Sequence, residues 1–377
     1  MKVCTIVGTR PEIIRLSEVM RKLNTTPTIE HTLIHTNQNY DYELNRIFFE
    51  DLDLKTPDVT LSLDCTTLAT RIASMLTGVE SALKDLQPDA VLILGDTYSC
   101  LSAIIAKSLK IPVFHMEAGN RCFDDNVPEE INRRLVDHIS DVNLPYSSIA
   151  REYLLKEGLP PDRVIKTGSP MREVLMANLD RIDRSNVVNS LNLKPGDFIL
   201  CSIHRAENVD SEEPLRNIFN AIVQIADLED RPVIVSTHPR TRKRLLDFGI
   251  NIASPYVRML SPLSFSDYNS LQRNAKVVLS DSGTISEESS ILGFKALNIR
   301  TSHERPEAME SAMSTILTGT NTSDIVNAFK ALQSIPLRTE FPLDYQSRHV
   351  SEKIVKIIMS YTHYVQRNVY KGDHTCI

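Results

Sequence analysis

The chain lacks the short motifs that mark the most familiar cofactor-dependent and metal-dependent sites. Its 377 residues contain neither the G-x-G-x-x-G dinucleotide fingerprint nor the G-x-x-x-x-G-K-[ST] phosphate loop, which argues against NAD binding and ATP hydrolysis. The ten histidines include no H-E-x-x-H pair, and the six cysteines include no C-x-x-C pair. The sequence therefore predicts neither a metal site nor a bound cofactor.

Blocks of one charge and long apolar runs are also absent from the sequence. The 42 basic and 48 acidic residues give a net charge of -6 and are spread along the chain, so we expect no nucleic-acid partner. No apolar stretch reaches membrane-spanning length, so we expect no membrane partner and a cytoplasmic location. Reduced, mostly buried thiols are expected at Cys4, Cys65, Cys100, Cys122, Cys201 and Cys376.

What the sequence does contain is a regular alternation of strand and helix patterns, which is typical of doubly wound parallel sheets. The length and the 42% hydrophobic content are sufficient for two cores. We therefore expect an α/β fold with two Rossmann-like doubly wound domains, at residues 1–168 and 169–355. A C-terminal helix and tail at 356–377 is expected to pack back across their junction.

The predicted elements follow this alternation from the first residues onward. Strands are predicted at Lys2–Val7, His31–His35, Ala90–Leu94, Pro112–Met116, Val142–Leu144, Val164–Thr167, Phe198–Ser202, Val233–Ser236, Lys276–Leu279 and Ala296–Ile299. Helices are predicted at Ile13–Leu23, Leu68–Leu86, Ser147–Glu157 and Ser347–Tyr361. The polar stretch between Gly168 and the turn at Leu193-Lys-Pro-Gly196 predicts a helical linker between the domains.

Two carboxylates directly follow buried strand patterns in the first half of the chain. Asp96 follows the run at 90–94, and Glu117 follows the run at 112–116. Ligands of parallel sheets bind outside the carboxyl ends of the strands, so both side chains are expected to face one crevice. The helix predicted to begin at Pro128 brings Glu129 or Glu130, and Arg133, to the same place. This combination suggests proton transfer on a bound substrate.

A structural explanation remains open for each of these carboxylates. Asp96 and Glu117 could instead be helix caps or ion-pair partners, although their place at strand ends favours function. Acidic residues are common in the first turn of a helix because of its dipole. At most one of Glu129 and Glu130 is therefore expected to be catalytic.

Each half of the chain also contains a turn that could hold a phosphate group. In the first half, Gly8-Thr-Arg-Pro-Glu12 joins a strand to a helix, with Arg10 and Arg15 close by. In the second half, the run Ser280 to Glu288 also joins a strand to a helix through a tight turn. A diphosphate could lie on its turn residues and a ribose on its final carboxylate; these are Ser282, Gly283, Thr284 and Glu288. Each glycine turn could equally be a simple connection.

Three of the histidines that lie in or after strand patterns differ in their expected roles. His204 follows a buried strand, which favours a ligand-facing position. His238 and Arg240 also stand at a strand end, where function and structure are equally open. His115 lies inside a strand and is expected to be a hydrogen-bonded core residue.

Taken together and in order, the motifs resemble those of the non-hydrolysing UDP-N-acetylglucosamine 2-epimerases over nearly the whole chain. The motifs are Gly8-Thr-Arg-Pro-Glu12, Gly95-Asp-Thr97, His115-Met-Glu-Ala-Gly119, Pro128-Glu-Glu-Ile-Asn-Arg133, His204-Arg205, Asp281-Ser-Gly283, Glu287-Glu288 and Glu304-Arg-Pro-Glu307. The resemblance implies a glycosyltransferase-B fold with UDP between the two domains. It also implies an isomerase that eliminates UDP across C1 and C2 of the sugar and adds it back, and a homodimer.

The resemblance also implies roles for individual residues. Acid and base catalysis is assigned to Asp96, Glu117 and Glu129, and stabilisation of the departing diphosphate to His204. Substrate-binding positions are Arg10, Arg15, Arg133, His238, Ser282, Gly283, Thr284, Glu288 and Arg305. Many glucosamine enzymes have a lysine at the position of Arg15, so the guanidinium changes the local geometry.

A closer resemblance is to the capsule and O-antigen branch that makes UDP-N-acetyl-L-fucosamine from UDP-2-acetamido-2,6-dideoxy-L-talose. It is carried by Asn37-Gln-Asn-Tyr-Asp-Tyr42, by His115 to Phe123 and by Leu279 to Thr284. Asn120, Cys122 and Thr284 replace the leucine, threonine and glycine that are usual in the glucosamine enzymes. UDP-N-acetylglucosamine remains the alternative substrate. A UDP-sugar-dependent glycosyltransferase and a hydrolysing epimerase are the alternative activities.

Overall fold

The computed structural model describes residues 1–37, 48–312, 314–337 and 340–371. The motif Asn37-Gln-Asn-Tyr-Asp-Tyr42, from its second residue onward, and Cys376 lie outside the described residues. The chain divides into two compact units. Unit 1 runs from Met1 to Met176 and takes in the C-terminal segment from Asp344, and unit 2 runs from Ala177 to Leu343. The divisions expected from the sequence are after residues 168 and 355.

Among the described residues, unit 1 contains a parallel sheet of six strands. These are β1 (Lys2–Val7), β2 (Glu30–His35), β3 (Val59–Thr60), β4 (Ala90–Leu94), β5 (Val113–Met116) and β6 (Val142–Leu144). The order is β3-β2-β1-β4-β5-β6, so the strand order reverses between β1 and β4. β4 is buried along its whole length, because a parallel sheet is covered on both faces, and this explains its continuous apolar sequence.

Helices connect the strands of unit 1 and supply the apolar faces that cover the sheet. The first helix, Arg10–Thr25, has a proline in its first turn, and its buried apolar residues recur every three or four positions, at Ile13, Leu16, Val19, Met20 and Leu23. The other described helices up to the unit boundary are Leu68–Leu86, Ala103–Ser108, Pro128–Ile139, Ser148–Lys156 and Met171–Ala177, with short 3-10 turns at Tyr98–Ser102 and Pro161–Arg163.

The C-terminal segment packs within unit 1. It consists of the 3-10 turn Leu343–Tyr345, the helix Val350–Val365 and a π-helical turn at Gln366–Tyr370. The Ser351 amide donates a hydrogen bond of 2.9 Å to Glu173, and the Tyr370 hydroxyl donates one of 2.6 Å to Asp141. These contacts explain why the segment from Asp344 onward belongs to unit 1.

The described part of unit 2 repeats the same topology. Its strands are β7 (Ile199–Ser202), β8 (Val233–Ser236), β9 (Val257–Leu260), β10 (Val277–Ser280), β11 (Ala296–Asn298) and β12 (Thr315–Leu317), in the order β12-β11-β10-β7-β8-β9 and all parallel. The described helices are Leu179–Arg184, Val187–Ser190, Ala206–Val209, Glu212–Glu229, Pro239–Asp247, Phe265–Asn274, Ile285–Leu292, Pro306–Ser311 and Thr322–Ser334. The strand order reverses between β7 and β10.

The predicted α/β class with two doubly wound sheets is confirmed. The predicted strand Val164–Thr167 is wrong, because only Val164 forms a bridge, to Asn143. The adjacent β6 ends before Pro145, which has no N–H group to extend a ladder. The sequence analysis also missed β3, β9 and β12, which all lie at sheet edges. In the described part of the chain, each helix is too short or too polar to cross a bilayer.

Candidate active site

The turns after β1 and β4 meet at the point where the strand order of unit 1 reverses, and a buried carboxylate joins them. Glu12 accepts hydrogen bonds from the backbone N–H groups of Gly8, at 2.5 Å, and of Thr9, at 3.4 Å. Across the strand ends, the hydroxyls of Thr97 and Ser99 also donate to it. Burial raises the pKa of Glu12, and the hydrogen bonds from its neighbours oppose that shift.

The contacts of Glu12 involve the first turn that the sequence offers for a phosphate group. The N–H groups of Gly8 and Thr9, which precede the first helix, donate to the chain's own Glu12. A carboxylate in the first turn of a helix can accept hydrogen bonds from N–H groups at the helix start, as an external anion would. The Arg10 guanidinium lies over the Phe48 ring, 5.3 Å from its centre.

Glu117 stands one residue beyond β5 and is bound by a side chain of the first helix. Its carboxylate forms an ion pair with the guanidinium of Arg15, and both residues are buried. On the other side, the Asn120 amide nitrogen lies 3.4 Å from Glu117 Oε1. The backbone of Glu117 has a φ of 63°, in the left-handed region that costs a non-glycine residue about 1–3 kcal/mol and is frequent at functional sites.

Asp96 stands at the end of the neighbouring strand, and the helix Pro128–Ile139 holds it. Its carboxylate pairs with the guanidinium of Arg133, and the Asn132 amide donates to its backbone carbonyl at 3.0 Å. Arg133 also donates to the carbonyl of Asn120, at 3.0 Å. A chain of contacts thus runs from Glu117 through Asn120 and Arg133 to Asp96, which brings both strand-end carboxylates into one cluster.

The two acidic residues at the start of this helix have different surroundings. Glu130 is fully buried; it accepts hydrogen bonds from the Cys122 amide, at 3.0 Å, and from the guanidinium groups of Arg133 and Arg134. Glu129 is half-buried and precedes Arg133 by four residues, which places both on the same face of the helix. Glu130 therefore holds the loop before the helix, while Glu129 lies on the same helix face as Arg133, which pairs with Asp96.

In unit 2, a fully buried aspartate organises the turns at the corresponding reversal point. Asp281, after β10, accepts hydrogen bonds from the backbone N–H groups of His204, at 3.0 Å, and Arg205, at 2.9 Å, and from the Asn208 amide, at 3.1 Å. His204 Nδ1 lies 3.1 Å from its Oδ1. Burial alone would raise the pKa of Asp281, but the nearby His204, and the backbone N–H group and charge of Arg205, hold it below its ordinary value.

The turn after Asp281 carries the predicted diphosphate and ribose residues. The Ser282 and Thr284 hydroxyls lie 2.9 Å apart, and the Thr284 hydroxyl donates to Glu288 at 2.7 Å. The Gln272 amide donates to the other oxygen of Glu288, also at 2.7 Å. A Cβ atom at Gly283 would lie 3.0 Å from a guanidinium nitrogen of Arg205, so a larger residue there would require the Arg205 side chain to shift slightly.

Further charged residues of unit 2 are buried in pairs behind this turn. Arg300 binds Glu304 through two nitrogen–oxygen contacts of 3.1 and 3.0 Å. Arg305 lies 3.3 Å from a carboxylate oxygen of Glu287. Fully desolvated charges need such partners, because an unpaired one would be costly in the interior.

The two predicted ligand histidines of unit 2 are neighbours. The rings of His204 and His238 have centres 6.3 Å apart and are tilted by 33°. His238 caps the helix Pro239–Asp247 by accepting a hydrogen bond of 3.1 Å from the Arg240 amide. One ring nitrogen of His238 is thus engaged with the backbone.

Several residues that build the site were missed or left without a role in the sequence analysis. They are Glu12, Asp137, Arg205, Asn208, Gln272 and Asp281. Only Glu12 had a local signal, because a Thr-x-x-Glu pattern at a helix start predicts a capping contact. The others act through partners distant in sequence, such as Asn208 with Asp281, which no local pattern indicates.

The chain matches the family model of UDP-N-acetylglucosamine 2-epimerase over residues 21–359. It belongs to this family. Epimerases of the family are isomerases, and this member is a UDP-sugar 2-epimerase with two doubly wound units of the glycosyltransferase-B type.

Solved structures of family members are similar to this chain over almost its whole length. The structure of UDP-N-acetylglucosamine 2-epimerase from Rickettsia bellii has a TM-score of 0.90 and 43% identity, and covers 99% of this chain and 100% of that one. The Methanocaldococcus jannaschii enzyme in complex with UDP-GlcNAc and UDP has a TM-score of 0.89 and 36% identity, with coverage of 96% and 100%.

One relative is named for a substrate other than UDP-N-acetylglucosamine. The Pseudomonas aeruginosa UDP-2,3-diacetamido-2,3-dideoxy-D-glucuronate 2-epimerase is 32% identical over 304 residues, which cover 80% of this chain and 83% of that protein. Membership of the family therefore establishes epimerisation of a UDP-sugar and leaves the sugar to be inferred from the site.

Proposed function

We propose that this epimerase converts UDP-2-acetamido-2,6-dideoxy-L-talose into UDP-N-acetyl-L-fucosamine. The observation that carries the proposal is the position of Asn120, which differs from the usual leucine of the glucosamine enzymes and lies 3.4 Å from Glu117 Oε1. The departure from the glucosamine pattern is thus in contact with a proposed acid/base residue. It can alter the part of the pocket that receives the sugar.

The reaction needs two proton-transfer groups on opposite faces of C2. A carboxylate removes the C2 proton while the C1–O bond to UDP breaks, which leaves a C1–C2 double bond in the sugar. UDP then returns to C1 as another group delivers a proton to the other face of C2. The proposed acid and base groups are Asp96, Glu117 and Glu129. Asp96 and Glu117 belong to one cluster of contacts. Glu129 lies on the helix Pro128–Ile139, which also carries the Arg133 partner of Asp96.

The arginines of the cluster suit these roles. Arg15 lies against Glu117 and Arg133 against Asp96, so each of these two proposed proton-transfer groups has a cationic partner. The two guanidinium groups, with Arg10, are also proposed to contact the diphosphate. Glu130 is excluded from proton transfer in this proposal, because its oxygens hold Cys122, Arg133 and Arg134.

Unit 2 is proposed to hold the UDP moiety throughout the cycle. Ser282, Gly283 and Thr284 would receive the diphosphate at the start of the helix Ile285–Leu292, where backbone N–H groups favour an anion. Glu288 would hold the ribose hydroxyls. His204, with His238 and Arg305, would stabilise the charge on the departing diphosphate.

Substrate choice is tested by measuring kcat/KM for UDP-2-acetamido-2,6-dideoxy-L-talose and for UDP-N-acetylglucosamine side by side, with the products identified by NMR. We expect a higher value for the 6-deoxy sugar. Equal or reversed values would favour the glucosamine alternative, which similarity to relatives named UDP-N-acetylglucosamine 2-epimerase supports.

The same product, made in deuterium oxide, tests the mechanism. Reversible elimination must introduce deuterium at C2, because the transferred proton exchanges with solvent. Retention of protium at C2 would exclude the proposed proton path. Release of free UDP in proportion to turnover would instead indicate a hydrolysing enzyme.

A further inference from the structure

A buried aspartate and a buried histidine lie beneath the acid/base cluster of unit 1. Asp137 accepts hydrogen bonds from the Gly119 amide, at 3.1 Å, and from the Arg121 guanidinium, at 2.7 Å. Its Oδ1 lies 3.0 Å from His115 Nδ1, and His115 Nε2 lies 2.6 Å from the carbonyl oxygen of Gly95. Asp137 and His115 are completely inaccessible to solvent.

These contacts reach the two turns that carry the proposed catalytic carboxylates. Gly95 directly precedes Asp96, and Gly119 follows Glu117 by two residues. Asp137 therefore binds the Glu117 turn directly and the Asp96 turn through the His115 ring. It does so from the helix Pro128–Ile139, whose Arg133 pairs with the Asp96 carboxylate.

The turn that Asp137 binds is one that needs outside support. Glu117 and Gly119 both have left-handed backbones, with φ of 63° and 80°. A non-glycine residue in this conformation persists only where its surroundings hold it there. The Gly119 N–H group, two residues after Glu117, donates a hydrogen bond to Asp137. This contact therefore holds the turn in which Glu117 has its left-handed backbone.

The His115 ring completes the connection between the two turns. Its Nε2 lies within hydrogen-bond distance of the Gly95 carbonyl oxygen, and its Nδ1 lies 3.0 Å from the Asp137 carboxylate. Burial alone would raise the pKa of Asp137, but His115 and Arg121 hold it below its ordinary value. The buried carboxylate thus remains an acceptor for all its partners.

We infer that Asp137 and His115 are positioning residues that jointly set the placement of Asp96 and Glu117 relative to C2 of the sugar. The inference rests on the proposed roles of these two carboxylates. Both faces of C2 must be served with the correct geometry, and a displacement of about 1 Å can cost roughly a hundredfold in rate. One rigid support for both turns meets that need.

The chain offers a matched control in Asp141. This aspartate is also buried, and it also accepts from a backbone N–H group, that of Val113 at 3.0 Å, and from a cation, Lys107. Val113 begins β5, whereas Gly119 lies beyond its other end. Asp137→Asn and Asp141→Asn therefore remove similar buried charges at opposite ends of one strand.

The test compares both variants with wild-type enzyme on the UDP-sugar that wild type epimerises, by kcat, KM, UDP affinity and thermal melting. We expect Asp137→Asn to lower kcat by roughly thirtyfold or more, with KM and UDP affinity within about threefold. Asp141→Asn is expected to lower the melting temperature comparably and to keep kcat within about twofold. Equal losses of kcat in the two variants would overturn the inference, because both would then reflect stability alone.

Two variants of His115 keep the test informative if Asp137→Asn does not fold. Gln can place its amide near the Nε2 position and donate to the Gly95 carbonyl, whereas Asn can donate only near the Nδ1 position. We expect His115→Gln to retain more kcat than His115→Asn, and recovered substrate from His115→Asn to gain C2 deuterium faster than product forms. Equal kcat for both variants, with exchange and epimerisation still coupled, would contradict the inference.

Failure of the proposed function gives a different result. If Glu117→Gln keeps full turnover, Glu117 is not an acid/base residue, and Asp137 and His115 then have no catalytic carboxylate to position at this turn. If Glu117→Gln is inactive while Asp137→Asn is fully active, the assignment stands and only the positioning role is refuted.

Discussion

The Arg15 guanidinium forms a buried ion pair with the carboxylate of Glu117. Arg15 comes from the first helix of unit 1, and Glu117 from the turn after β5, 102 residues later. A buried pair of this kind contributes little net stability, but removing one partner leaves an uncompensated charge and costs about 3–5 kcal/mol. We therefore attribute its place at the centre of the cluster to the proposed proton-transfer role of Glu117 rather than to stability.

Replacement of Arg15 should therefore show whether turnover depends on its positive charge or on the planar shape of its guanidinium group. Arg15→Lys keeps the positive charge but loses the planar two-nitrogen fork, and we expect it to retain turnover within roughly tenfold. Arg15→Met removes the charge and should lower both the melting temperature and kcat, the latter by roughly a hundredfold or more. Steady-state kinetics and thermal melting provide the measurements. An Arg15→Met variant with normal kcat would show that Glu117 needs no cationic partner.

Glu117→Gln should abolish most turnover while UDP still binds. The amide keeps the shape of the side chain but cannot accept the C2 proton, so an interaction needed for the chemical step is lost. The measurements are kcat and the UDP dissociation constant from calorimetry. The control is Glu18→Gln, on the first helix, where Glu18 pairs with Arg21 at 3.2 Å. Loss of UDP affinity with near-normal turnover would make Glu117 a binding residue.

Unit 2 should become less stable in acid because of Asp281. Its pKa in the folded state is below the ordinary value, because His204 and Arg205 outweigh the effect of burial. The stabilisation is therefore fully present above the unfolded pKa, about 3.9, and is lost as the pH falls through the lower folded value. Asp281→Asn should melt below wild type at neutral pH, and the gap should narrow toward pH 3. A gap that is independent of pH would refute this linkage.

The carboxylates at strand ends could be predicted from the sequence because their signal is local. A continuous apolar run followed by an acidic residue indicates a buried parallel strand and the sheet edge where ligands bind, and Asp96 and Glu117 stand at that edge. The proposed branch of the family rests on a short segment as well, since Asn120 follows Glu117 closely.

The supports of these residues could not be predicted in the same way. Asp137 looks like an ordinary polar residue of an amphipathic helix, and its role depends on Gly119 and His115, which only the fold brings beside it. The edge strands β3, β9 and β12 were missed for a related reason. They are short and only partly buried, so their sequences carry less of the apolar pattern that indicates a strand.

Substrate preference should shift when two of the three departures from the glucosamine pattern are reversed. Asn120→Leu removes the amide beside Glu117, and Thr284→Gly removes the hydroxyl that binds Glu288. A pocket built around the C6 methyl group leaves a C6 hydroxyl buried without a partner, at a cost of about 1–3 kcal/mol. We therefore expect wild type to prefer the 6-deoxy-L-talose sugar by roughly tenfold to a hundredfold, and the double variant to lose most of that preference. Ratios of kcat/KM for the two sugars, measured in competition, test this expectation. An unchanged ratio in the double variant, with the fold intact, would show that other residues read the 6-position.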